Sequence, residues 1–149
     1  GRYTDEQPFS NRVLCGECGK VFWRRTWYRL NNTYKVWQCG NRYREKGVVT
    51  CHSENLKESD LHGAFVMAWN GILENRAEFT ETWKAQAESG NALERFRAKQ
   101  MLELTKMKPM KEIDLLLVSK VLDYVIVQHG GELEFHFLDG TQLAVEVTE

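Results

Sequence analysis

Apolar residues recur along this chain with two different periods. After residue 58, large apolar side chains return every three or four positions, a spacing typical of a helix with one buried face. They are Leu61, Phe65, Ala68, Trp69, Ile72 and Leu73. Ser59 stands just before this run and is the predicted N-cap. We therefore expect one long helix that packs its apolar face on the rest of the molecule.

Two weaker helical stretches follow, separated by a break. In 77–87, Phe79 and Trp83 lie four residues apart, and Ser89-Gly90-Asn91 then interrupts the pattern. Asn91 with Glu94 three positions later resembles a capping box at the start of a second helix. That helix carries an apolar stripe, predicted to be core or a surface for a partner helix, formed by Leu93, Phe96, Gln100, Leu104 and Met107. The two stretches predict a short αα-hairpin.

The period changes to two near the end of the chain. Stretches 124–128, 132–138 and 141–147 read as strands, and Gly130-Gly131 and Asp139-Gly140 read as hairpin turns between them. A short helix is predicted before them over 112–121, with Ile113, Leu116, Leu117 and Val121 inward. We expect a three-stranded antiparallel meander.

Near the start of the chain, aromatic and β-branched residues indicate another hairpin. Stretches 20–30 and 33–39 have the composition of strands, and Asn31-Asn32 is the predicted turn. The hairpin carries too many large rings for one small core to bury. They are Trp23, Trp27, Tyr28, Tyr34 and Trp37.

All four cysteines of the chain lie around this hairpin. Cys15 and Cys18 form a C-x-x-C pair, and Cys39 and Cys51 follow after intervals of 20 and 11 residues. Four thiolates complete the tetrahedral shell of a structural zinc ion, and the first intervals suit a zinc β-ribbon. The longer last interval requires the loop 40–50 to fold back over the site. The cysteines predict one bound zinc.

Other uses of these cysteines remain open at this point. Two disulfides would need an oxidising compartment, and a redox pair would leave Cys39 and Cys51 without a role. His52 is an alternative ligand to Cys51. Because metal-bound thiols must stay reduced, the zinc interpretation predicts a cytoplasmic protein.

The formal net charge of −1 hides a strong asymmetry. Residues 12–46 hold nine Lys or Arg against two acidic residues, a net +7, so the rest of the chain carries −8. A basic module on an acidic body is typical of proteins that bind nucleic acid. We expect six cations to line one face and contact duplex DNA: Arg24, Arg25, Arg29, Lys35, Arg42 and Arg44.

Several motifs together resemble a known family, the large serine recombinases of phages and mobile elements. The entry Pro8-Phe9-Ser10-Asn11-Arg12-Val13-Leu14-Cys15-Gly16-Glu17-Cys18-Gly19 is similar to that of the recombinase zinc β-ribbon. Trp37 before Cys39, and the basic loop that leads to Cys51, extend the resemblance. Weaker similarity continues through 91–96, 113–127 and 137–141.

The resemblance implies a site-specific recombinase whose serine catalytic domain and a further DNA-binding domain precede this ribbon. The absence of an initiator Met agrees with a fragment of a longer chain, and we expect no catalytic centre in these residues. The family also implies a coiled coil after the ribbon. Here only the short αα-hairpin occupies that place, which leaves self-association through the helical segment as an expectation.

The predicted fold class is α+β: a zinc β-ribbon, then helices with a short αα-hairpin, then the meander. We place a linker from an upstream domain at 1–11, the ribbon at 12–55, and the helical segment with its meander at 56–149. No apolar run is long enough to span a membrane. The predicted function is zinc-dependent DNA binding, and the alternative is a zinc ribbon that binds another protein.

Overall fold

The structure is a computed structural model that describes residues 7–43 and 45–147. Four helices and seven strands are found in these residues, arranged as two sheets. The strands are β1 (Val13–Cys15), β2 (Phe22–Arg29), β3 (Asn32–Cys39), β4 (Leu56–Lys57), β5 (Leu122–Val127), β6 (Glu132–Phe137) and β7 (Gln142–Glu146). The helices are α1 (Glu58–Glu74), α2 (Arg76–Ser89), α3 (Ala92–Leu104) and α4 (Leu115–Val121). The fold class is α+β, as the sequence predicts.

The predicted meander is present, and it gains a fourth strand. Strands β5, β6 and β7 pair antiparallel, with Gly130 and Gly131 at positive φ in the first turn. The short strand β1 pairs parallel with β5, Val13 opposite Val125 and Cys15 opposite Val127. The strand that leads to the C-x-x-C pair is therefore part of the C-terminal sheet.

The second sheet is the aromatic hairpin with a short edge strand. β2 and β3 pair antiparallel from Phe22 opposite Cys39 to Arg29 opposite Asn32. The turn falls at Leu30 and Asn31, one residue earlier than predicted, and Leu30 has φ 56. β4 pairs with β3 only at Val36 and Trp37. The half of the hairpin nearer its turn therefore has no third strand beside it.

Helix α1 joins the two sheets through one apolar core. Its predicted face is buried, except that Leu73 is only partly so. The Phe65 ring lies 5.9 Å from Phe135 of the meander and 6.2 Å from Phe9, which in turn contacts Trp37 of the ribbon at 6.5 Å. The core is thus continuous across the proposed boundary between residues 55 and 56.

The helix begins at Glu58 rather than after Ser59. Lys57 is its N-cap and makes no side-chain capping bond, because the chain enters the helix directly from β4. The pairing of Lys57 with Val36 in the sheet decides this start, so a local capping signal was misleading here.

Helices α2 and α3 form the predicted αα-hairpin, joined at Gly90 and Asn91. The capping box is present, with the Asn91 side chain accepting from the Glu94 backbone and Glu94 accepting from Asn91. The hairpin is fastened to the meander because the Trp83 indole donates to Asp139 Oδ2 at 2.8 Å.

The apolar stripe predicted for α3 does not form a core. Leu93 and Phe96 are 62% and 56% exposed, and Ala98 and Met101 are the buried residues instead. The docking of α2 turns the face of α3 that carries Ala98 and Met101 inward. The helix predicted at 112–121 begins only at Leu115, where Asp114 caps it, and Leu116 points to solvent. None of the helices in the described residues has the length and apolar character of a membrane span.

Candidate functional site

The four cysteines are brought together from separate segments. Cys15 ends β1, Cys39 ends β3, Cys18 lies in the turn between β1 and β2, and Cys51 precedes β4. Their sulfur atoms all lie within 4.8 Å of one another, with Cys15 and Cys51 3.8 Å apart and Cys18 and Cys39 3.4 Å apart. A zinc ion at about 2.3 Å from each sulfur requires tetrahedral edges of about 3.8 Å. The four thiols therefore fit a zinc ion.

This cluster bears on the alternatives left open by the sequence. None of the four cysteines forms a disulfide. His52 is exposed and does not belong to the cluster. The predicted fold-back of the loop after Cys39 is present, since Thr50 N donates to Arg42 O at 2.8 Å and Arg42 donates to Ser53 O at 2.8 Å.

Backbone hydrogen bonds in the turns orient two of the thiols. Glu17 N donates to Cys15 Sγ and Asn41 N donates to Cys39 Sγ, each at 3.4 Å. Gly16 is required because a Cβ there would lie 2.5 Å from the Gln128 side chain and 2.8 Å from Val127 O. The first turn is therefore seated directly on the end of β5.

The thiols differ in how readily they ionise. Burial works against ionisation of Cys15, but hydrogen bonds from Cys18, Ser53 and Glu17 lower its pKa to about 7. Burial raises the pKa of Cys39 and of Cys51, and the neighbouring Cys15 raises both further. Four thiolates at one point, three of them buried, repel each other unless a cation lies between them, so binding of a metal there must release protons.

The expectation that the six predicted cations line one face is wrong for the hairpin. Residues opposite one another in an antiparallel pair point to the same side, and the side alternates along each strand. The register places Arg24 and Lys35 on the side of Phe22 and Trp37, and Arg25 and Arg29 on the other side. The charge pattern of the sequence could not show this, because the side to which each residue points depends on how β2 and β3 are paired.

Arg24 is held in a bidentate ion pair. Its Nε and Nη2 donate to the two carboxylate oxygens of Glu58 at 2.6 and 2.9 Å, and the Trp37 indole donates to the same carboxylate at 3.1 Å. Burial opposes ionisation of Glu58, but these bonds from Arg24 and Trp37 lower its pKa on balance. Arg24 therefore fastens the hairpin to the start of α1.

The remaining predicted cations differ in what they contact. Lys35 donates to the Thr26 hydroxyl, and Arg42 donates to Ser53 O and lies over the Tyr43 ring. Arg25 lies over the Trp23 ring, 5.5 Å from its centre, and Arg29 is exposed near the tip. Arg44 lies outside the described residues.

Two features of this surface were not predicted from the sequence. A cleft of about 570 Å³ lies between the edge of the hairpin and the start of α1. Three cations line it: the predicted Arg29 and Lys35, and Lys57, which was not predicted. Lys57 was missed because it follows the basic segment in the chain and reaches the hairpin only through β4. His62 also lines the cleft and stacks on Phe9, and burial lowers its pKa.

Comparisons with known proteins agree with this geometry. Residues 8–70 match the family model of the recombinase zinc beta ribbon domain. This segment, less than half of the chain, is similar to that family. A solved structure described as the crystal structure of an LSR–DNA complex, where LSR stands for large serine recombinase, also resembles the chain, with a TM-score of 0.60 at 11% identity over 89% of this chain. No curated protein matches the chain.

The recombinase resemblance drawn from the sequence is thus confirmed. The structural likeness extends the shared fold beyond the ribbon to the helices and the meander. The chain spans 56% of the length of the recombinase chain that it matches. That protein is described in complex with DNA.

Proposed function

We propose that this recombinase ribbon binds one zinc ion through its four cysteines and grips the duplex of a recombination site through its basic hairpin. The observation that carries the proposal is the joining of two features: a tetrahedral set of thiols lies at the base of a projecting cationic hairpin. The family match of residues 8–70 and the DNA complex of the similar recombinase support it.

Zinc has a structural role in this proposal. All four ligands come from the protein, so no position stays open for catalysis. The ion would join the end of β1 to the end of β3 and fix the direction in which the hairpin leaves the body. Strand cleavage belongs to a serine catalytic domain outside this fragment, in a parent chain that is a DNA recombinase.

The proposed DNA contacts come mainly from the side of the hairpin that carries Arg25 and Arg29. Arg25 and Arg29 are exposed, whereas Arg24 is paired with Glu58 and Arg42 is bonded to the backbone. We expect the exposed pair to make the stronger phosphate contacts. Lys35, on the opposite side of the hairpin, and Arg44 are expected to contribute less. The acidic remainder of the chain orients the hairpin toward the DNA.

The test is a salt titration of duplex binding by the zinc-loaded chain. Each phosphate contact contributes roughly −0.9 to the slope of log affinity against log salt. The double change Arg25→Gln and Arg29→Gln should flatten the slope by about two and weaken all duplex sequences alike. The matched control is Arg97→Gln with Lys99→Gln on α3, which should leave the slope unchanged. Equal effects of the two pairs would refute the hairpin as the duplex contact.

The alternative function is a zinc ribbon that binds another protein. Exposed apolar side chains at the hairpin tip favour it, since Tyr28 is 79% and Leu30 97% exposed. Association with a protein partner through these side chains would depend only weakly on salt, whereas counterion release gives a steep slope. A flat slope in the titration above would select this alternative.

A further inference from the structure

One face of the β2–β3 hairpin carries exposed aromatic rings, although Val36 on the same face is buried. We define the outer face as Trp23, Arg25, Trp27 and Arg29 of β2 together with Tyr34 of β3. Alternation along the strands and the pairing of Trp27 with Tyr34 place all five side chains on the same side. Opposite them, the inner face carries Phe22 and Trp37 into the core.

Exposure of the two tryptophans on this face requires an explanation. Trp23 is 54% and Trp27 37% exposed, whereas the other three tryptophans of the chain are at most 1% exposed. A large ring left in water forfeits the burial that stabilises a fold. Exposed aromatic residues grouped on one surface therefore mark a binding site.

Cations alternate with the rings on the outer face. Arg25 lies between Trp23 and Trp27 in the strand, with its guanidinium 5.5 Å from the centre of the Trp23 ring. The two rings are four residues apart, which is about 13 Å along a strand. Rings spaced by cations match what a flexible nucleic acid strand presents, in which flat bases alternate with phosphates.

A slot beside Trp23 extends the same surface. A cavity of about 330 Å³ is lined there by Lys20, Val21, Gly40 and Asn41 together with the Trp23 ring. Gly40 leaves bare backbone against the ring, because a Cβ at that position would lie 2.9 Å from Val21 O and 3.4 Å from the Trp23 ring. A flat, apolar ring can enter beside Trp23, and Lys20 adds a cation at the rim.

Bases of an intact duplex are already stacked on each other and show only their edges in the grooves. A protein ring can stack only on a base that is unpaired, as in modules that bind single strands. We propose that the outer face binds unpaired nucleotides of single-stranded DNA by stacking bases on Trp23 and Trp27. Arg25 and Arg29 neutralise the phosphates between them. This activity goes beyond the duplex contact proposed above.

The test compares oligothymidine with a duplex of the same length, each titrated into the zinc-loaded chain at fixed salt. Oligothymidine should quench the tryptophan fluorescence, because only the two exposed indoles can stack on its bases. Changing both Trp23 and Trp27 to Ala should weaken oligothymidine binding by about five-fold or more for each ring lost. The same double variant should leave duplex affinity within two-fold or so, since phosphate contacts dominate that affinity.

The matched control is Phe96→Ala on α3, an exposed ring that also has an arginine over it, Arg97 at 5.6 Å. It should bind oligothymidine like the unchanged chain. A second variant, Trp23→Phe with Trp27→Phe, keeps a ring at each position and should keep most of the affinity. Zinc content and thermal unfolding, compared across all variants, separate a lost contact from a lost fold.

The outcomes of these titrations distinguish this inference from the proposal of duplex binding. Because both variants lack the exposed indoles, their binding is followed by the fluorescence anisotropy of dye-labelled oligothymidine and dye-labelled duplex. Oligothymidine affinity that is lost in the alanine variant and kept in the phenylalanine variant, with duplex affinity unchanged in both, supports the inference. Unchanged oligothymidine affinity in the alanine variant overturns it. An equal loss for duplex and oligothymidine also overturns it, because the rings would then serve both forms without stacking.

Discussion

At the scale of single residues, Arg24 shows how a charge count differs from a charged surface. It belongs to the +7 segment, yet two of its three guanidinium nitrogens, Nε and Nη2, are bonded to Glu58, which lies in the acidic part of the chain. The pair is partly shielded, with side-chain exposures of 30% and 14%. Partial shielding strengthens the attraction relative to that of an exposed pair, at the cost of some desolvation of both charges.

This pair should make stability depend on pH through Glu58. Since the folded-state pKa of Glu58 is lowered, its contribution is present above the unfolded pKa and is lost as pH falls through the folded value. Glu58→Gln should therefore destabilise the chain by about 1 kcal/mol at neutral pH, with a smaller difference in acid. Thermal unfolding at several pH values measures this. Glu103→Gln, which removes an exposed pair with Lys106, is the control and should change little. A Glu58→Gln deficit that does not vary with pH would exclude this role.

At the scale of elements, local signals succeeded where the local chain decides the structure. The capping box at Asn91 depends on residues three positions apart and is present as predicted. The N-cap predicted at Ser59 is wrong, because sheet pairing of Lys57 starts the helix earlier. Of the two alternatives given for the stripe on α3, the core is wrong for Leu93 and Phe96, and a surface for a partner helix stays a prediction. Apolar spacing identifies a face but not the neighbour that covers it.

Asn91, which caps α3, and Ser59, which does not cap α1, give a paired prediction on stability. Asn91→Ala removes a side-chain acceptor for the first turn of α3 and should cost about 1 kcal/mol. For a chain of this size the midpoint of thermal unfolding should fall by about 2–4 °C. Ser59→Ala is the matched control, since Ser59 is exposed inside the first turn of α1 and should shift the midpoint little. A larger effect at Ser59 than at Asn91 would contradict the assignment of caps.

At the scale of the whole molecule, the ribbon is attached to the C-terminal sheet at several points. β1 pairs with β5, Gly16 N donates to Val127 O at 2.9 Å, and Phe9 packs between Trp37 and Phe65. The boundary proposed at residues 55 and 56 therefore separates two sequence segments that share one core. Metal binding at the cysteines should act beyond the ribbon.

Removal of zinc should consequently loosen more than the hairpin. We expect hydrogen exchange after chelation to rise across 13–57 and also in β5, whose partner β1 leads into the first two thiols. β6 and β7 should stay protected, because they pair with each other and pack on α1. Restoring zinc should reverse the change. Protection of β5 that is insensitive to chelation would show that the ribbon and the C-terminal sheet are independent units.

The sequence alone determined the α+β class, the αα-hairpin, the meander and the recombinase resemblance. It also singled out Cys15, Cys18, Cys39 and Cys51, because ligand spacing and strand periodicity are local properties of a chain. Tertiary structure alone decided that β1 joins the meander, that Arg24 is paired with Glu58, and that the rings of the outer face remain exposed. Each of these depends on which distant segments of the chain come into contact. The periodic pattern of one segment does not show which other segment packs against it.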